Sequence, residues 1–177
     1  LVDQTLPDAR ITSLTSDVQQ AVVGGSVVLT AVVSNEGAAV LPTGTSVKFY
    51  KRGVSEPLGI MMTQEDVAVN ATTTLLRTIP LPEATGNHVY YCVVNEDRLV
   101  NELVYSNNTS ADVTVKGVSP FRATVTTDKK VYTQGEKVVI TGKLTGERTT
   151  NAKADIYFIN DGARQTERIT TDGDGAF

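Results

Sequence analysis

The segment Gly24-Gly25-Ser26-Val27-Val28-Leu29-Thr30-Ala31-Val32-Val33-Ser34-Asn35-Glu36-Gly37 reads as one β-strand complete with its punctuation. The glycine pair opens it, and Asn-Glu-Gly closes it with residues that favour turns. Between them Val27, Leu29, Ala31 and Val33 share one face while Val28, Thr30 and Val32 share the other, the period-two signature of a strand buried in a sheet. Valine and threonine are stiff at χ1 and pack well on pleated surfaces. The whole chain repeats that chemistry, with 25 valines and 25 threonines among 177 residues. Helix-forming runs of Ala, Leu, Glu and Lys are missing. The expected fold class is all-β.

Similar signals recur on both sides at the short spacing of a sandwich. Ala9 to Thr15 alternates. Thr45 to Lys51 places Val47 and Phe49 inward and Lys48 outward. Gly53 to Pro57 is a hairpin connection to an edge strand, Leu58 to Thr63. Val67 to Ile79 is a threonine-rich strand region with a break near Asn70, ended by Pro80 and Pro82, which lack a backbone donor. Asn87 to Val94 is an aromatic strand and Asn95-Glu96-Asp97 a turn. Leu99 to Val104 is read as a return strand. Thr109 to Val115 is the last strand of the set, with Ala111, Val113 and Val115 inward. Gly117 to Pro120 reads as a linker. A second series follows at 122–127, 137–144, 154–159 and 165–170.

Charge changes at that linker. Residues 1–116 carry 7 basic and 12 acidic residues, a net of −5, and residues 117–177 carry 9 and 8, a net of +1. Two domains are expected, 1–116 and 117–177. About sixty residues bury only about 60% of their unfolded surface. The second domain is therefore expected to be the N-terminal part of a larger sandwich, with an edge open to pairing between copies. The chain starts with Leu and stops after Asp172-Gly173-Asp174-Gly175-Ala176-Phe177, a turn and the start of a strand, and so reads as a piece of a longer polypeptide.

Composition narrows function. The net charge of −4 argues against a general nucleic-acid binder. No apolar stretch approaches the roughly 20 residues that span a bilayer. One histidine and one cysteine exclude a His/Cys metal cluster and an intrachain disulfide. Ser–His–Asp or Cys–His chemistry would rest on His88 alone. His88 and Cys92 are four apart on one strand, on one face but roughly 13 Å distant, too far for a nucleophile and its base. No catalytic residues and no cofactor are expected.

Two family resemblances are carried by motifs. Val33-Ser34-Asn35-Glu36-Gly37, and Val94-Asn95-Glu96-Asp97 through Glu102 to Ser106-Asn107-Asn108-Thr109, resemble the cell-adhesion-related domain found in bacteria (CARDB). That family is a seven-stranded immunoglobulin-like sandwich, and the likeness covers roughly residues 8–116. Its acidic turn usually has Asp where this chain has Asn95. Thr127-Asp128-Lys129-Lys130-Val131-Tyr132-Thr133-Gln134-Gly135-Glu136-Lys137-Val138 resembles the opening of the macroglobulin-type (MG2-like) β-sandwich. Thr171-Asp172-Gly173-Asp174-Gly175-Ala176-Phe177 resembles a later turn of the same family. The resemblances imply two tandem immunoglobulin-like sandwiches, the second incomplete. Nothing matches a bait region or thioester segment, so protease trapping is not carried over.

Several constellations have two readings. Glu96, Asp97 and Glu102 with Asn107 and Asn108 either gather oxygen ligands for calcium or form a solvated turn with Asn side chains capping the backbone. Tyr90-x-Cys92 resembles the tyrosine corner of immunoglobulin domains, with Cys92 a buried core thiol. Tyr50 and Tyr105 are the exposed aromatics on which a sugar would stack. Asp172-Gly173-Asp174-Gly175 resembles part of a calcium loop but reads as a hairpin turn, and Lys129-Lys130 as a solvated turn. Asn70, Asn107 and Asn108 fit the N-glycosylation sequon.

The expected function is a non-catalytic spacer or adhesion module of a larger exported bacterial protein, outside the cell or on its surface, with the signal peptide not in this chain. Its expected partners are other domains of the same chain and a protein or glycan ligand. The alternative is an accessory, glycan-binding region of a surface polysaccharide-degrading enzyme or of a macroglobulin-like protein.

Overall fold

The computed structural model describes residues 5–146, 151–160 and 163–177. They form an all-β protein that divides into two units, 1–117 and 118–177. The first unit holds eight strands: β1 (Ala9–Ser16), β2 (Gln20–Val22), β3 (Ser26–Asn35), β4 (Ser46–Lys51), β5 (Gly59–Met62), β6 (Thr72–Pro80), β7 (Gly86–Val94) and β8 (Val113–Val118). They build two sheets, ordered β1-β3-β6 and β2-β8-β7-β4-β5. Every pair with a described register is antiparallel.

The alternation of β3 fills the space between the sheets. Val27, Leu29, Ala31 and Val33 are buried and meet Val47 and Phe49 of β4, Tyr90, Cys92 and Val94 of β7, and Val115 of β8. β1 pairs Ile11 with Val33 and Ser13 with Val32, so a bulge falls between them. An extra residue reverses which parity faces inward. Ala9 and Ile11 are accordingly buried before it, and Leu14 packs on the core after it.

The edge strand β6 carries an anomaly. Leu75 and Ile79 are buried on its inner face, and Arg77, at the same parity, is half-buried with its Nε lacking a partner. The guanidinium lies on the backbone of Gly59 in β5, where an added Cβ would come within 2.3 Å of Nε. Only glycine admits that approach.

Four expectations are corrected. Leu99 to Val104 is not a strand: Asn95 and Arg98 take positive φ (47° and 54°), and the chain turns into a loop whose Leu103 N–H donates to Pro7. The last strand starts at Val113, and Ala111 is exposed, because 105–112 bonds to β7 only through the Val93–Thr109 bridge and a few loop contacts. The threonine-rich strand begins at Thr72 rather than Val67, which only bridges to Leu41; the expected break near Asn70 is present, at φ 60°. Gly117 and Val118 belong to β8 rather than to a linker. The short β2 was not expected.

The second unit holds β9 (Arg122–Thr127) paired with β10 (Ile140–Thr145), and β11 (Lys153–Asn160) paired with β12 (Ala163–Thr170), two separate two-stranded sheets. The C-terminal residues add to β10: Gly142 and Phe177 exchange both backbone bonds, and the Phe177 ring lies over Gly142.

Candidate functional site

The described polar groups of the first unit concentrate where the β3–β4 and β7–β8 connections meet the entry to β1. Asn35, at the end of β3, is fully buried. Its Oδ1 accepts from Asp8 N (3.2 Å) and Gly37 N (3.1 Å), and its Nδ2 donates to the carbonyls of Ala39 (2.8 Å) and Val67 (2.9 Å). Gly37 is needed because a Cβ there would lie 2.4 Å from Asp8 N and Leu6 O. The Asn-x-Gly turn is thus the seat of the N-terminal segment.

Glu102 is the centre of the cluster, 5% exposed. Its Oε2 accepts the Ala9 amide at 2.5 Å. Its Oε1 accepts from the side-chain amides of Asn95 and Asn108, the latter at 3.0 Å. Asn95 also clamps the loop, accepting from Val100 N (3.1 Å) and donating to Val100 O (2.7 Å). Asn108 Nδ2 donates to Val94 O at 3.0 Å, and Asn107 Nδ2 to Asp8 Oδ1 at 3.0 Å. Burial pushes the Glu102 pKa up, against the lowering effect of its three donors, and the negative charge of Asp8 adds to the rise.

The five calcium candidates therefore separate. Glu102, Asn107 and Asn108 come together, with Asp8 and Asn95. Glu96 and Asp97 instead hold Lys48, at 3.2 and 2.6 Å, and Glu96 accepts the Tyr50 hydroxyl. The Asp97 bond chiefly raises the Lys48 pKa. Beside the cluster lies a cleft of about 160 Å³ lined in part by Asn95, Arg98, Tyr105 and Asn108. Among the described residues no three His, Cys, Asp or Glu side chains form a metal-holding group.

The sequence model of the CARDB family matches residues 6–112, from the Asp8 segment through Glu102 to the loop before β8. The chain belongs to the CARDB family. Among solved structures it is similar to the CARDB domain of a Pyrococcus furiosus protein, in solution (19% identity, TM-score 0.51, covering 64% of this chain and 97% of that one). The crystal structure of that domain in complex with di-metal ions is similar too (20% identity, TM-score 0.51, covering 64% and 90%). So is a domain of a Methanosarcina acetivorans protein described as a cell surface protein (19% identity, TM-score 0.50, covering 63% and 92%). At these identities the likeness shows the fold. A comparison with curated proteins finds no match.

The chemistry-bearing residues of the CARDB domain's aromatic strand point into its core. His88, Tyr90, Cys92 and Val94 are all buried on β7. His88 Nε2 lies 2.8 Å from the Ala84 carbonyl. Burial pushes the Cys92 thiol up to about 11, so the reactive thiolate is suppressed at neutral pH. The Tyr90 hydroxyl has no hydrogen-bond partner, so the bond that defines a tyrosine corner is not made.

Tyr50 is not exposed. It faces outward on β4 but is 6% accessible, covered by Tyr91 stacked at 5.2 Å and tied to Glu96. Burial, then the Glu96 bond, pushes its pKa up to about 12. Arg52 lies 4.0 Å over the Tyr91 ring and holds Asp112 at 2.7 Å. Tyr105 is half-buried under Arg98, 4.8 Å away, and its hydroxyl accepts from Glu102 N. Of the sequons, Asn70 is exposed, whereas Asn107 and Asn108 donate to the cluster.

In the second unit the quoted motif closes one loop between β9 and β10. Asp128 accepts from the Tyr132 hydroxyl (2.6 Å) and Val139 N (3.0 Å), and Glu136 accepts from Lys129 Nζ and Thr133 N. Gly135 takes φ 84°. Asp172 accepts from Asp174 N (2.8 Å) and Ala176 N (2.9 Å), which makes the Asp-Gly-Asp-Gly run a turn.

Proposed function

We propose that this chain is a non-catalytic spacer or adhesion module of a larger exported protein, acting outside the cell or on its surface. The observation that carries the reading is the internal use of its reactive groups. His88 and Cys92 line the core, and both Glu102 oxygens accept backbone or amide donors. The Methanosarcina relative's description as a cell surface protein supports the location. No described helix is long and apolar enough to cross a membrane. The second unit, whose motif residues bond to each other, is read as part of a macroglobulin-type sandwich.

A glycan-binding role is the weaker reading, since Tyr50 is covered and Tyr105 already carries Arg98. The test is to assay the chain on ester, peptide and glycoside panels and on a glycan array. Turnover at buffer level and no saturable glycan binding are expected. Turnover lost in His88→Ala would overturn the non-catalytic reading, and saturable binding lost in Tyr105→Ala would restore the glycan one.

A further inference from the structure

We propose that the buried cluster of Asp8, Glu102, Asn107 and Asn108 takes a hard divalent cation, with calcium the best match. The argument is one of hydrogen-bond and charge accounting. Two carboxylates are buried here, Asp8 at 8% and Glu102 at 5% exposure, and the charge of Asp8 acts on Glu102. None of the ion pairs among the described residues reaches either one. Beside them the side-chain oxygens of Asn107 and Asn108 are buried with no donor.

Turning those amides over does not solve the problem. Asn107 would then aim its oxygen at Asp8 Oδ1, and Asn108 at Val94 O and Glu102 Oε1. The orientation is therefore fixed by the acceptors. Asn108 Oδ1 belongs to the same planar amide head whose nitrogen bonds Glu102, so it lies one amide head from that carboxylate. Buried acceptors without donors carry their full desolvation cost. A cation removes that cost for both oxygens and neutralises the carboxylates in the same step.

The donor set is all oxygen, amide and carboxylate, which suits calcium or magnesium and not zinc or copper. Both Glu102 oxygens already accept N–H groups, so Glu102 supplies charge. The direct ligands are Asn107 Oδ1, Asn108 Oδ1 and the Asp8 carboxylate, with water from the adjoining cleft completing the shell. Two carboxylates are few, which places affinity in the weak range of extracellular modules, roughly 10⁻⁴–10⁻³ M. The spacer reading is not needed for this inference.

The experiment is thermal melting of the whole chain in EDTA, in about 10 mM calcium or magnesium, and in sodium chloride of equal ionic strength. Calcium is expected to raise the melting temperature of the first unit by on the order of 5 °C over both controls. Asn107→Ala keeps the Asn108 bonds but loses the donor to Asp8, so it is expected to melt somewhat below the parent in EDTA and to melt no higher in calcium. Asp8→Asn is the second variant, should Asn107→Ala fold poorly. Terbium emission sensitised by Tyr105, and quenched by excess calcium, should disappear with the same substitutions. Equal melting in calcium, EDTA and sodium would overturn the proposal and leave water as the occupant. A calcium response or terbium emission that persists in both variants would equally overturn it, by placing the ion elsewhere.

Discussion

The two units are both built of β-strands but differ in what they bury. The first packs 18 hydrophobic residues out of solvent, from Ala9 to Val115. Among the described residues the second buries none, and Phe121, Val131 and Ile159 are 66%, 81% and 76% exposed. Alternation creates an apolar face, but burial needs a second sheet laid on it. In the first unit β3 has that partner across the sandwich. In the second, order comes from carboxylates holding nearby backbone: Asp128 on Val139, Glu136 on Thr133, Asp172 on Ala176.

Side-chain truncation should expose this contrast most strongly. Phe49→Ala removes a fully buried ring and should cost the first unit about 3–5 kcal/mol in urea denaturation. Ile156→Ala on β11 should change stability by less than about 0.5 kcal/mol, as at a site without a packed surround. Equal losses would mean that the second unit buries Ile156 as fully as the first buries Phe49.

Carboxylate removal comes next. Glu102→Ala strands the Ala9 amide and takes one of two acceptors from each of the Asn95 and Asn108 side-chain amides, and should cost about 2–3 kcal/mol. Asp172→Ala, in an exposed turn, should produce a smaller loss in the same experiment. A larger loss at Asp172 would reverse the assignment of where polar order matters.

Acid should act on the two units in opposite directions, with the smallest amplitude. The folded pKa of Glu102 is raised, so its contribution is complete below the unfolded value and is lost as pH rises through the folded one. Asp128, Glu136 and Asp172 are lowered, chiefly by bonds from Tyr132, Lys129 and Ala176. Their contribution is present above the ordinary carboxylate range and is lost as pH falls through their folded values. Mild acidification should therefore stabilise the first unit, and Glu102→Gln should flatten that response. Stronger acid should loosen the second unit, by an amount that shrinks with added salt. Chemical-shift titration of each unit reads both signs.

Much of the fold was legible because period two is a local property: β3, β4 and β7 followed from single alternating runs. β2 is three residues long and exists through its place beside β8, so no window of sequence contains its cause. Leu99 to Val104 reads as a strand because two Leu-Val pairs fall within six residues, while the positive φ at Asn95 and Arg98 turns the chain aside. Glu102 was singled out but grouped with Glu96 and Asp97, its neighbours in the chain. The fold gives it Asp8, 94 positions away, and sends the other two to Lys48. Tyr50 reads as exposed in the sequence but is 6% accessible in the fold. The outer face of a central strand can be roofed by its own neighbours, here Tyr91 and Glu96.

Arg77 has a consequence for life at high local density. A chain displayed in many copies meets its own kind edge to edge, and β6 is where a visiting strand would dock. A guanidinium pressed inward over Gly59 cannot be covered by an incoming apolar side chain without losing its remaining water, so strand exchange between copies is penalised at that edge. The β6 edge is thus guarded by a charge, and Arg77→Leu should increase self-association, visible as a mass that grows with concentration in sedimentation.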